Sequence, residues 1–146
     1  LGGRAVSVEE ASGADIVCTS TPSRTPVVQR AWLVDHAHVN AMGADAEGKQ
    51  ELESAILKDA QVFIDEREQA THSGEINVPL HAGELAEEDL GGTLGQVLTG
   101  AASADRNGLT VFDSTGLALQ DLALARRLLA KARELSVGTL VDLVGA

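Results

Sequence analysis

The chain has no tyrosine, one tryptophan and two phenylalanines among 146 residues, although 44% of it is hydrophobic. Its core must therefore be built from Ala, Val, Leu and Ile, and its length and composition suit one globular domain. A single cysteine, Cys18, excludes a disulfide framework and a cysteine-rich metal site. Standing alone it reads as a small buried hydrophobe. Lysine occurs only at Lys49, Lys58 and Lys131, and 22 acidic against 11 basic residues give a formal net charge of -11. Unspecific nucleic-acid binding is excluded, because neutralising phosphates needs Lys and Arg in surplus. An acidic, lysine-poor surface suits plain solubility and equally a high-salt cytoplasm. No apolar run is long enough to span a membrane and no secretory signal is seen, so the expected compartment is the cytoplasm. The start, "LGGRAVSVEE", lacks an initiator methionine and suggests a truncated chain.

What is present alternates. Val6 to Ser12 reads as the end of a helix. "ADIVCTST" (14–21) is an apolar run leaving into Ser, Thr and Pro, the pattern of a buried parallel strand. Pro22 and Pro26 keep the following stretch irregular. "AHVNAMG" (37–43) is a second strand closed by Gly43. "QELESAILKDA" (50–60) puts Leu52, Ala55, Ile56 and Ala60 on one helical face. "QVFID" (61–65) is a third strand and "EREQATH" (66–72) a short helix. After a connecting segment (73–85), "TLGQVLTG" (93–100) is a helix closed by Gly100, "AASADRNG" a surface loop and "LTVFDSTG" (109–116) a strand entering a Ser/Thr/Gly loop. The longest helix covers 117–135, with Asp121 early and Arg126, Arg127, Lys131 and Arg133 late, as the helix dipole favours. The fold class implied is α/β, a parallel sheet with right-handed crossovers and flanking helices. Ligands of such sheets sit beyond the C-terminal strand ends, where "TSTPSRT" and "GADAEGK" would lie.

"GADAEGKQEL" (43–52) has the glycine and lysine spacing of a phosphate-binding P-loop, but Gln50 stands where that motif needs Ser or Thr for Mg²⁺. Asp45 and Glu47 would also repel the anion. Asp45, flanked by Gly43 and Gly48, reads either as a partly buried general acid or base or as a turn residue capping the next helix. Asp113 to Gly116 form a second polar cluster, readable as a helix N-cap and as a seat for polar cofactor groups. Thr19 to Ser23 form a third, readable as ribose contacts or as a plain polar loop. His36, His38, His72 and His81 lack metal spacing, so no metal is expected. No nucleophile-elbow motif supports a hydrolase triad.

Taken in order, "ADIVCTSTPS", "HVNAMGADAEGKQEL", "HSGEINVP" and "VFDSTGLALQD" resemble the ornithine cyclodeaminase/mu-crystallin family, most nearly its archaeal-type alanine dehydrogenase branch. The resemblance runs over nearly the whole chain. It implies part of a Rossmann-like domain binding NAD or NADP over 1–110, and a segment over 111–146 belonging to a dimerisation and substrate domain. It implies that Asp45 is the catalytic aspartate. Thr19, Ser20, Thr21 and Ser23 would lie near the cofactor ribose, Ala44, Asp45, Ala46 and Gly48 along the nicotinamide side, and Ser114 near the nicotinamide. The substrate implied is a small amino acid or a cyclic imine, and the assembly a homodimer. "FDSTGLALQD" leans toward an alanine dehydrogenase or an imine reductase; ornithine cyclodeaminase and a non-enzymatic mu-crystallin-like binding protein are the alternatives. No GxGxxG occurs, so the pyrophosphate cradle of a complete Rossmann domain is missing. The chain is accordingly expected to be the C-terminal half of such an enzyme, inactive alone.

Overall fold

The computed structural model describes residues 2–141. Five strands form one fully parallel sheet: β1 (Ile16–Thr19), β2 (His38–Ala41), β3 (Gln61–Ile64), β4 (Gly92–Thr93) and β5 (Thr110–Asp113). Their order is β1-β2-β5-β3-β4, so the last strand inserts between β2 and β3. The α/β expectation holds. Helix α1 (Val8–Ser12) precedes β1, helices α2 (Ser54–Asp59), α3 (Arg67–Ser73), α4 (Asn77–His81) and α5 (Leu94–Thr99) come between strands in the chain, and α6 (Ala118–Leu135) follows the last.

The register explains the core. Val17, Val39, Val111 and Val62 align across four strands, followed two residues on by Thr19, Ala41, Asp113 and Ile64. Because side chains alternate across a sheet, both rows point to one face. Val28, Leu33, Leu52, Ile56, Leu57, Ala70 and Ile76 complete that core. The opposite face carries Cys18 and Ile16, which are exposed. Cys18 is thus not the buried hydrophobe expected. It lies on the edge strand's outer face, with Asn40 Nδ2 donating to its Sγ at 3.6 Å.

Three local differences have physical causes. The helix expected over 50–60 begins only at Ser54, because residues 50–52 are held extended by side chains and a bridge between Leu52 and Val28. Leu52 is still wholly buried, so its apolar period was real but served the core directly. The connecting segment contains α4, with Pro79 at its third position, where a missing N–H costs nothing. β4, two residues long, pairs with Phe63 and Ile64. Thr93 and Gln96 cap α5 reciprocally, and Gly100 (φ 76°) ends it as expected.

The chain divides into two compact units, Leu1–Gly116 and Leu117–Ala146. The division falls after β5. In the second unit no described residue of α6 is buried, and Leu119, Leu124, Leu128 and Leu129 are exposed. The helix ends at Ser136 in the left-handed region. Among the described residues no helix is long and apolar enough to cross a membrane.

Candidate functional site at the strand ends

The C-terminal ends of β1 and β2 open into two loops that face each other. Between them lies a shallow cleft of about 200 Å³ lined by Ser20, Thr21, Pro22, Met42, Gly43, Asp45 and Lys49. Three of the expected site residues, Ser20, Thr21 and Asp45, therefore share one surface. The Asp45 side chain is 61% exposed and paired with the Lys49 ammonium one helical turn's spacing away. That bond and charge hold the Asp45 carboxyl below the usual carboxylate range, so it is ionised at neutral pH. The expectation of a partly buried carboxyl fails here, and so does the capping alternative, since α2 starts nine residues later and is preceded by Glu53.

The remaining expected contacts divide differently. The Thr19 hydroxyl is buried and donates to Glu51 Oε2 at 2.6 Å. Ser23 Oγ donates to the Thr25 carbonyl at 2.6 Å. Ala44 is buried, and Ala46 accepts the Lys49 N–H through its carbonyl. Gly48 turns the loop at φ 74°, its N–H donating to Asn77 Oδ1 at 3.1 Å. Ser114 is buried at the end of β5 with its hydroxyl donating to Asp65 Oδ2 at 2.9 Å. Asp65 also accepts from the Gly116 N–H at 2.9 Å. Ser114 and Thr115 thus do not cap α6, whose N-cap position is Leu117.

Sequence reasoning missed Glu51 and Glu75 beneath this surface, and it missed the burial of Asp113. Glu51, Glu75 and Asp113 have no solvent exposure. Glu75 accepts the backbone N–H groups of Glu51 (2.9 Å) and Leu52 (2.6 Å), which pins the stretch after the Asp45 loop. Asp113 Oδ2 accepts the Ile76 N–H at 3.2 Å, while its Oδ1 has no partner among the described residues. Burial pushes Glu75 up to about 8 and Asp113 up to about 7. The one signal pointing to Glu75 was an acid set among Ile, Val and Pro in a segment with no helical charge pattern.

These shifts predict a pH dependence. Between an ordinary carboxylate value and about 7 to 8, the folded chain holds protons on Asp113 and Glu75 that the unfolded chain has released. Stability therefore falls as pH rises through that window. Thermal unfolding should give a lower Tm at about pH 8 than at about pH 5. Glu75→Gln, which keeps an acceptor and loses the titration, should flatten that slope; an unchanged slope would contradict the buried-acid account.

Among the described residues no group of three or more His, Cys, Asp or Glu is placed to hold a metal ion. His38 instead contacts Thr110 Oγ1 at 2.8 Å and His36 contacts Asp15 at 3.0 Å.

A parallel α/β sheet with small polar loops and the ionised Asp45 at its C-terminal edge is the architecture in which ligands sit beyond the strand ends. Residues 4–136 match the family model described as the ornithine cyclodeaminase/mu-crystallin family, and the chain belongs to that family. Alanine dehydrogenase of Archaeoglobus fulgidus is 46% identical over 133 residues, covering 90% of this chain and 41% of that protein. A solved archaeal alanine dehydrogenase dimer with bound NAD superposes with a TM-score of 0.84 at 44% identity, over 93% of this chain and 43% of the other. The Thermococcus litoralis Delta(1)-pyrroline-2-carboxylate reductase, solved with NADH and L-proline, gives a TM-score of 0.82 at 29% identity, over 92% and 42%. The chain thus spans well under half the length of the relatives it matches.

Proposed function

We propose that this chain is part of an NAD(P)-dependent oxidoreductase acting on a small amino acid or its imine. The observation that carries the reading is the strand-end cleft with an ionised Asp45 in its wall. The residues present suit the nicotinamide end of such a cofactor. The cleft walls are small, and Gly43 lets backbone approach closely, since a Cβ there would stand 2.3 Å from the Thr21 carbonyl oxygen. The pyrophosphate end would need residues this sequence does not contain.

When bound, the nicotinamide supplies hydride exchange with the substrate Cα; the chain's own part is charge and placement. Asp45, as a carboxylate, stabilises a substrate ammonium or iminium and takes or returns its proton. Lys49, now paired with Asp45, gives way to the substrate cation or stays as a second donor at the carboxylate's other side. Asp65 holds Ser114 and Gly116 at the end of β5, the position the resemblance puts near the nicotinamide. Residues 111–146, with α6 among them, belong, in this reading, to a dimerisation and substrate domain of a homodimer. The exposed leucines of α6 support that, being an apolar surface in want of cover. The reading places the protein in the cytoplasm, where a soluble NAD(P)(H) pool is at hand.

The test is a substrate panel on the protein expressed from its full reading frame. Alanine with NAD⁺, ornithine with NAD⁺ and pyrroline-2-carboxylate with NADH are compared. Turnover of alanine or pyrroline-2-carboxylate is expected; turnover of ornithine alone would move the reading to a cyclodeaminase. The 146-residue chain by itself should bind NAD(H) far more weakly than the full protein, measured by quenching of nicotinamide fluorescence. Equal affinity would show that the cradle lies within these residues.

A further inference from the structure

The loop carrying Asp45 leaves β2 at Gly43 and rejoins the fold at Gln50, and both ends are fixed from inside. At the return, Asn77 accepts the Gly48 N–H and donates to the Lys49 carbonyl at 3.3 Å. Gln50 N–H donates to the Ser23 carbonyl at 3.1 Å. At the departure, the binding group is the Glu51 side chain. Its Oε2 accepts the Gly43 N–H at 2.8 Å and the Thr19 hydroxyl at 2.6 Å, and its Oε1 accepts the Thr21 N–H at 2.5 Å. These donors come from the two facing loops and from the strand end beneath them.

Past the last ladder bond, Met42 N–H to the Thr19 carbonyl, this carboxylate ties the floor of the cleft, while Gln50 N–H to the Ser23 carbonyl and Arg24 to the Glu47 carbonyl (3.1 Å) join the two loops farther out. Glu51 itself has no freedom. Its carbonyl accepts Val27 (2.7 Å) and Val28 (3.0 Å), and its N–H donates to Glu75. Gly43 leaves the space for it, because a Cβ at that position would meet the Glu51 carboxyl carbon at 2.5 Å. A wholly buried carboxylate with three converging donors is a rigid spacer, since removing one acceptor strands a buried donor.

We propose that Glu51 is a positioning residue that sets the separation of the two cleft walls and thereby the place of Asp45 against the substrate amine. The proposal rests on the catalytic reading of Asp45 above. It adds a residue that touches no ligand.

The test uses the protein from its full reading frame, with Glu51→Gln as the main variant. Gln offers one acceptor oxygen and a second donor where the site has three donors to satisfy. Expected is a kcat lowered by about tenfold or more, at a temperature where the variant is fully folded, with a smaller change in KM. Amide hydrogen exchange at Thr21 or Gly43 should also accelerate. A merely structural role would lower Tm and leave kcat alone, so a folded variant with kcat within about twofold of the parent overturns the proposal. If Glu51→Gln does not fold, Thr19→Val, which deletes one of the three bonds at constant shape, is read by the same criteria. If the parent shows no oxidoreductase turnover, the reading of Asp45 fails separately. Amide exchange then decides the clamp alone: acceleration at Thr21 or Gly43 supports it, and unchanged exchange at both overturns it.

Discussion

Asp45→Asn should lower kcat by about 10²–10⁴-fold in the protein expressed from its full reading frame, the range for loss of a positioned acid or base. Tm and far-UV circular dichroism should stay as in the parent. The fold tolerates the change because the Asp45 side chain is largely exposed and its one partner, Lys49, lies on the same loop. Exposed ion pairs contribute little to stability. On the proposed reading the chemistry does not tolerate it, because an amide neither stabilises a cationic substrate nitrogen as a carboxylate does nor takes its proton. KM for the cofactor should move less than kcat. A steady-state comparison of the two proteins checks this, and near-normal turnover would remove Asp45 from the mechanism.

Gly43→Ala should be the most damaging single methyl in the strand-end region. The added Cβ would stand 2.3 Å from the Thr21 carbonyl oxygen and 2.5 Å from Glu51 Oε1. Neither neighbour can yield. One is backbone, and the other is a buried carboxylate bonded on both oxygens. Overpacking of this kind costs about 1–3 kcal/mol, and the backbone clash puts this case at the upper end. At roughly 2–4 °C per kcal/mol for a chain of this size, Tm should fall by several degrees. Gly13→Ala is the control, since φ there is -74° and the nearest atom lies at 3.6 Å. Equal Tm values for the two variants would contradict the packing described.

How much of this was legible depended on what each residue had to face. β1, β2, β3 and β5 were readable because each is a short apolar run between polar punctuation, and their parallel order put "TSTPS" and "GADAEGK" at one edge. Cys18 was not, because burial of an edge strand's outer face is decided by what covers it and not by the strand's own residues. Leu52 fitted a helical period but works in an extended stretch, since Glu75, distant in sequence, captures the backbone N–H groups there. The buried acids Glu51, Glu75 and Asp113 were the least visible. Charge normally marks a solvated face, and only the converging donors of distant loops make their burial tolerable. Asp45 was legible as a carboxylate at the strand-end edge, while its pairing with Lys49 and its exposure came from the loop's closed geometry. The P-loop spacing that first marks this stretch is in fact the spacing of a loop held at both ends by Glu51 and Asn77.

The central claim is hydride exchange at an amino-acid Cα, and isotope transfer tests it most directly. Alanine deuterated at Cα, or proline likewise labelled for the reverse of imine reduction, is incubated with the full-length protein and NAD⁺ or NADP⁺. The nicotinamide product is then analysed by mass spectrometry. The account predicts deuterium in the reduced nicotinamide ring, lost when Asp45 is replaced by Asn. Unlabelled cofactor with every amino acid of the panel, from a protein that is folded and binds NAD(H), would contradict it.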